Sequence, residues 1–101
     1  MSYKESFLQY LRIEKRYSPH TVRSYLNDLD QFESFLTALG HSSDPVAVTS
    51  HDIRAWIVSL MDKEYSAVSV HRKISCLRVY FRYLRKEDYV KNDPLQKVVL
   101  P

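Results

Sequence analysis

Apolar residues recur along this chain at the three-and-four spacing of a helical face, in four stretches separated by short breaks. The sharpest runs from Ser66 to Lys86, where Val70, Ile74, Leu77, Phe81 and Leu84 fall in one stripe. At about 100° per residue, Leu77 sits at the centre of that stripe. His71, Ser75, Arg78 and Arg82 lie opposite it, Arg72 lies at the edge, and Lys73 lies nearer the core. A second stripe, Val22, Tyr25, Leu26, Leu29, Phe32 and Leu36, follows Ser18-Pro19. A third comprises Ile53, Trp56, Ile57, Leu60 and Met61. The first and shortest, from Tyr3 to about Lys15, places Tyr3, Phe7, Tyr10 or Leu11 and then Glu14 on the period.

The breaks carry helix signals. Ser18 can cap a free backbone N–H, and Pro19 loses nothing at the first helical position. Gly40 fits the residue just past the second helix, ending it near Leu39. His41 to Val48 reads as a loop, and Thr49 with Asp52 resembles a capping box for a third helix ending near Lys63. Ser66 is the expected cap of the fourth. Asp93-Pro94 predicts one further short helix, from Leu95 to about Val99. The expected fold is all-α: a compact bundle of four main helices plus a short C-terminal helix, making one domain over residues 1–101.

Composition narrows the function. The chain has 101 residues, 45% of them hydrophobic, with eight Tyr and four Phe, so a packed core is expected rather than disorder. A single Gly excludes a phosphate-cradling glycine loop, and no CxxC, HExxH or GxGxxG occurs. The lone Cys76 flanks the core stripe, with no His placed to activate it, and reads as a small buried hydrophobe. Asp28, Asp30 and Glu33 are spread around their helix rather than paired for acid–base work. No metal, cofactor, small-molecule substrate or catalytic centre is expected. With one Cys, no signal-peptide pattern and no membrane-spanning run, the expected setting is cytoplasmic.

The net charge of +3 is modest, but the charges are segregated. No Asp or Glu falls between Glu64 and Glu87, whereas seven acids crowd positions 28 to 64 against only Arg54 and Lys63. Two helical segments with basic or neutral outer faces result. One offers Arg16, His20, Thr21, Arg23, Ser24 and Asn27, and the other His71, Arg72, Ser75, Arg78 and Arg82. Cationic side chains with short hydroxyl donors suit phosphate oxygens, so nucleic acid is the expected partner. The bland alternative is a solvated face, with Ser18 and Ser66 as plain caps. A different class of function is a helical protein-interaction module using the acidic, aromatic-rich middle. A helix-turn-helix factor ranks last, because Gly40 to Thr49 is too long for its tight turn.

Four strings in series sharpen this. YSPHTVRSYLNDLDQFESFL, VTSHDIRAWIVSL, SAVSVHRKISCLRVYFRYL and VKNDPLQKVVLP resemble the N-terminal core-binding (SAM-like) domain of tyrosine site-specific recombinases of the Xer/phage-integrase type. The resemblance implies half of a C-shaped clamp around DNA, with the second and fourth helices approaching the major groove. It implies action in recombination and integration alongside sister subunits in a tetramer of the full-length protein. It places the end of the chain at the linker to an absent catalytic domain, so no enzyme activity is expected here. By position it puts Thr21 and Ser24, and Arg72, Lys73, Ser75 and Arg78, on the DNA-facing helices. His71 departs from the family's run, and Tyr25 and Leu29 match the motif but fall on the core stripe.

Overall fold

Each helix starts where a hydroxyl side chain meets a free backbone N–H. In a computed structural model, which describes residues 2–100, α1 spans Tyr3–Ile13, α2 Pro19–Ala38, α3 Ser50–Asp62 and α4 Ala67–Lys86. Ser2, Ser18 and Ser66 accept from the N–H groups of Glu5, Thr21 and Ser69 at 3.1–3.2 Å. Thr49 and Asp52 complete a reciprocal capping box at α3. Burial pushes the Asp52 carboxyl up, but bonds from Thr49 and His41 outweigh it and hold the group below its ordinary range.

The C-termini of α2, α3 and α4 share one device. After α2, His41 N–H bonds Leu36 O and Gly40 N–H bonds Thr37 O, with Gly40 at φ 75°. The same pair of bonds closes α3 around Glu64 and α4 around Asp88, at φ 65° and 60°. Only Gly40 announces such a turn in the sequence. At Glu64 and Asp88 a side chain occupies left-handed backbone at a cost of about 1–2 kcal/mol.

The four helices enclose one core, in which Phe7, Leu11, Leu36, Ile53, Trp56, Ile74, Leu77, Phe81 and Leu84 are almost wholly buried. The radius of gyration, 13.1 Å, is that of a compact globule of this length. Phe32 packs on Trp56 with ring centroids 5.0 Å apart, joining α2 to α3. Phe7 packs on Tyr80 at 5.0 Å and Tyr83 at 5.5 Å, joining α1 to α4. The predicted stripes hold except at their margins. Tyr25 and Leu26 are half-buried, and Met61 is 49% exposed, a quarter-turn from the centre of the α3 stripe.

Two further details differ from expectation. Inside the loop before α3, Pro45–Ala47 forms a single 3₁₀ turn, capped by Asp44. The short C-terminal helix does not form. Residues 94–97 make a turn in which Asp93 accepts from Leu95 N–H at 2.9 Å. Val90, Leu95 and Val98 are buried in the core, and Arg54 and Arg78 donate to the carbonyls of Lys97 and Val98 at 3.3 Å. Five residues cannot repay helix nucleation, and these side-chain anchors take over the segment.

Candidate nucleic-acid interface

Where the first turns of α2 and α4 lie side by side, their outer faces form an open groove of about 550 Å³. From α2 come His20, Arg23, Ser24 and Asn27, and from α4 come Arg72 and Lys73. The structure thus gathers six of the twelve expected residues, 45 or more positions apart in the chain, along one surface. Asp28, Gln31 and Tyr65 complete the lining.

The floor of the groove is a closed polar network. Lys73 is only 6% exposed, and its ammonium donates to Asp28 at 2.9 Å and to Gln31 Oε1 at 2.6 Å. Gln31 in turn donates to the Tyr65 hydroxyl at 3.0 Å, and the Lys73 ammonium stands 5.3 Å from the Tyr65 ring centroid. A buried charge persists only when paired and hydrogen-bonded, and Lys73 and Asp28 meet that condition through each other. Lys73 is therefore held inside rather than presented to solvent, as its place near the core stripe suggests.

Arg72 sits above this floor. Its side chain is 57% exposed, and one Nη2 donates to the same Asp28 carboxylate at 3.3 Å. A guanidinium has five N–H donors, so most of this fork faces outward while one edge is anchored. Arg23 and Asn27 are exposed on the facing helix. Three cationic side chains against one buried carboxylate leave the groove positive.

The other expected residues lie elsewhere. Thr21 shares its hydroxyl with Ser18 at 3.0 Å, as part of the cap. Arg16 stands in the α1–α2 connector at φ 54°. Ser75 and His71 are exposed on the outer side of α4. Arg78 is half-buried, with its guanidinium tied to the Val98 carbonyl. Arg82 lies further along α4, beside Tyr10 and Tyr17. Tyr65 enters from a connector where no periodic signal exists.

Cys76 is buried, and its thiol donates to the Tyr25 carbonyl at 3.6 Å. Burial, with Asp28 nearby, pushes it up to about 12, so it stays protonated and inert. Among the described residues, no His, Cys, Asp and Glu side chains cluster in a metal-holding group, and no helix is long and apolar enough to cross a membrane.

Comparison with known proteins places this chain in a family. The chain is 44% identical over 99 residues to a tyrosine recombinase XerC of Oceanobacillus iheyensis, covering 98% of this chain and 32% of that protein. It is 40% identical over 95 residues to the tyrosine recombinase XerC of Lacticaseibacillus casei, covering 94% of this chain and 32% of that protein. The tyrosine recombinase XerC of Bacillus subtilis is 34% identical over 95 residues, covering 94% of this chain and 31% of that protein. The chain spans about a third of the length of these relatives. No solved structure gives a significant match. The family model of the phage integrase N-terminal SAM-like domain matches residues 5–88, and the chain belongs to that family.

Proposed function

We propose that this domain grips double-stranded DNA through the α2–α4 groove, as the N-terminal half of a clamp that a tyrosine recombinase closes around its recombination site. The observation that carries the reading is the groove itself: Arg23, Asn27 and an exposed Arg72 converge there from two helices over a neutralised floor. Arg72 and Arg23 reach phosphate, while Ser24 and Asn27 add short donors that fix register. Asp28 and Lys73 do not touch DNA in this reading. They hold Arg72 and the two helices in place, and are positioning residues.

Most of the affinity of such a surface comes from released counterions, so the isolated domain binds weakly and with steep salt dependence. The test is fluorescence anisotropy on a duplex of about three helical turns across a salt series. Arg72→Ala is expected to weaken binding about tenfold and to flatten the log–log slope by about one, with the fold intact. Wild-type affinity in the folded variant would remove Arg72 from the interface.

Site-specific recombination also needs sister subunits on the same DNA, and we assign a tetramer of the full-length protein, acting in the cytoplasm, as the working assembly. Val58 and Met61, left in solvent on α3, favour α3 as the surface for such a contact over a purely DNA-binding role. Sedimentation of the domain with and without duplex decides this, since a single bound copy on a two-site duplex at saturating protein would contradict it.

A further inference from the structure

The outer face of α4 continues past the groove. Arg72, Ser75, Val79, Arg82 and Lys86 follow one another at three-four-three-four spacing on one face, where all but the half-buried Val79 are exposed. From Arg72 to Lys86 the row runs about 21 Å at 1.5 Å per residue. No carboxylate interrupts it.

At its far end α4 meets the end of α1 in a cleft of about 150 Å³, walled by Tyr10, Tyr17 and Tyr83 and rimmed by Lys15, Arg82 and Lys86. The ammonium groups of Lys15 and Lys86 stand 5.9 and 5.4 Å from the same Tyr10 ring centroid. One ring therefore gathers two like charges, with a third beside them and no acid lining the cleft. The three cations make the cleft positive, and an anion seated there would be attracted by each of them. The arrangement is built into the chain path. Arg16 turns the connector back at φ 54° and Tyr17 N–H bonds Leu11 O at 3.0 Å, which brings Lys15 and Tyr17 against α4.

We infer that this cleft takes a backbone phosphate of the same duplex that the α2–α4 groove holds, an inference that rests on the proposed DNA binding. The major groove of B-DNA is about 12 Å wide. A row about 21 Å long with cations at both ends reaches the backbones on either side, leaving Ser75 between them to face the bases. Lys15 and Lys86 thereby join the interface as phosphate contacts, and Arg82 acts with them rather than with the groove.

The test compares salt slopes of duplex binding for the wild-type domain, Lys15→Ala/Lys86→Ala, Lys15→Arg/Lys86→Arg, and the charge-matched control Lys91→Ala/Lys97→Ala. All four lysines are exposed, so thermal melting should confirm folded variants. The cleft predicts a slope flatter by about one and an affinity about tenfold lower at low salt for the alanine pair. The arginine pair and the control should stay near wild type. A wild-type slope in the alanine pair, or an equal loss in the control, overturns the cleft while the groove stands. Absence of wild-type binding at low salt overturns both.

Discussion

The two halves of α4 are fastened to the domain by different chemistry. In the N-terminal half, the buried Val70, Ile74 and Leu77 are accompanied by directional polar bonds to α2: the Lys73 ammonium on Asp28 and Gln31, and the Cys76 thiol on the Tyr25 carbonyl. In the C-terminal half, Tyr80, Phe81, Tyr83 and Leu84 are buried, and the tyrosines stack with Phe7 and Tyr10 of α1. The polar end sits under the positive groove, where a charge must be fixed beside a core without water entering. The aromatic end has no such duty and is packed for area. The difference separates stability, concentrated in rings, from orientation, set by one buried ion pair.

The hardest break of that contrast is Phe7→Ala. Removing the ring that touches Tyr10, Tyr25, Tyr80 and Tyr83 is expected to cost about 3–5 kcal/mol in urea denaturation. DNA affinity, measured where the variant remains folded, should hardly change. A loss of stability below about 1 kcal/mol would show that the aromatic end is not the main anchor.

Next comes Lys73→Met, expected to cost about 3 kcal/mol because it leaves the buried Asp28 charge with only the exposed Arg72 at 3.3 Å. Adding Asp28→Leu should recover most of that stability, since an apolar pair replaces an ionic one. The same double variant should still bind DNA poorly, because Arg72 loses the carboxylate that orients it. Recovery of both stability and affinity would strip Asp28 of its positioning role.

The smallest effect sharpens the point by chemistry alone. Lys4 bridges α1 to α2 through Asp30 at 2.6 Å and Glu33 at 3.2 Å, yet those partners are largely solvated. Burial lowers the Lys4 pKa, but the bonds to Asp30 and Glu33 outweigh it and the net shift is upward. Lys4→Met is nevertheless expected to cost less than about 1 kcal/mol, against about 3 for the same substitution at Lys73. Equal costs in denaturant titrations would mean that burial does not separate the two pairs.

Much of this was legible because it is local. Ser18-Pro19, Thr49 with Asp52, and Ser66 each act on N–H groups three residues away, so the helix starts could be read from neighbouring letters. Gly40 ended α2 where its freedom at positive φ predicts. The same turn at Glu64 and Asp88 was not legible, because Glu disfavours left-handed backbone and Asp adopts it only occasionally. The C-terminal segment misled for a related reason: Asp93-Pro94 does start a turn, but its continuation was settled by distant Arg54 and Arg78.

The candidate site divides the same way. Spacing alone put Arg23, Asn27 and Arg72 on outward faces and Lys73 near the core, since periodicity maps directly onto direction around a helix. Only the tertiary structure set α2 beside α4 so that these faces share a groove. It alone brought Asp28 and Tyr65 to Lys73 and closed Lys15 and Lys86 around Tyr10. Caps and stripes depend on a few neighbouring residues, and the sequence by itself determined them. Helix pairing depends on which apolar faces bury together, and only the folded chain decided that.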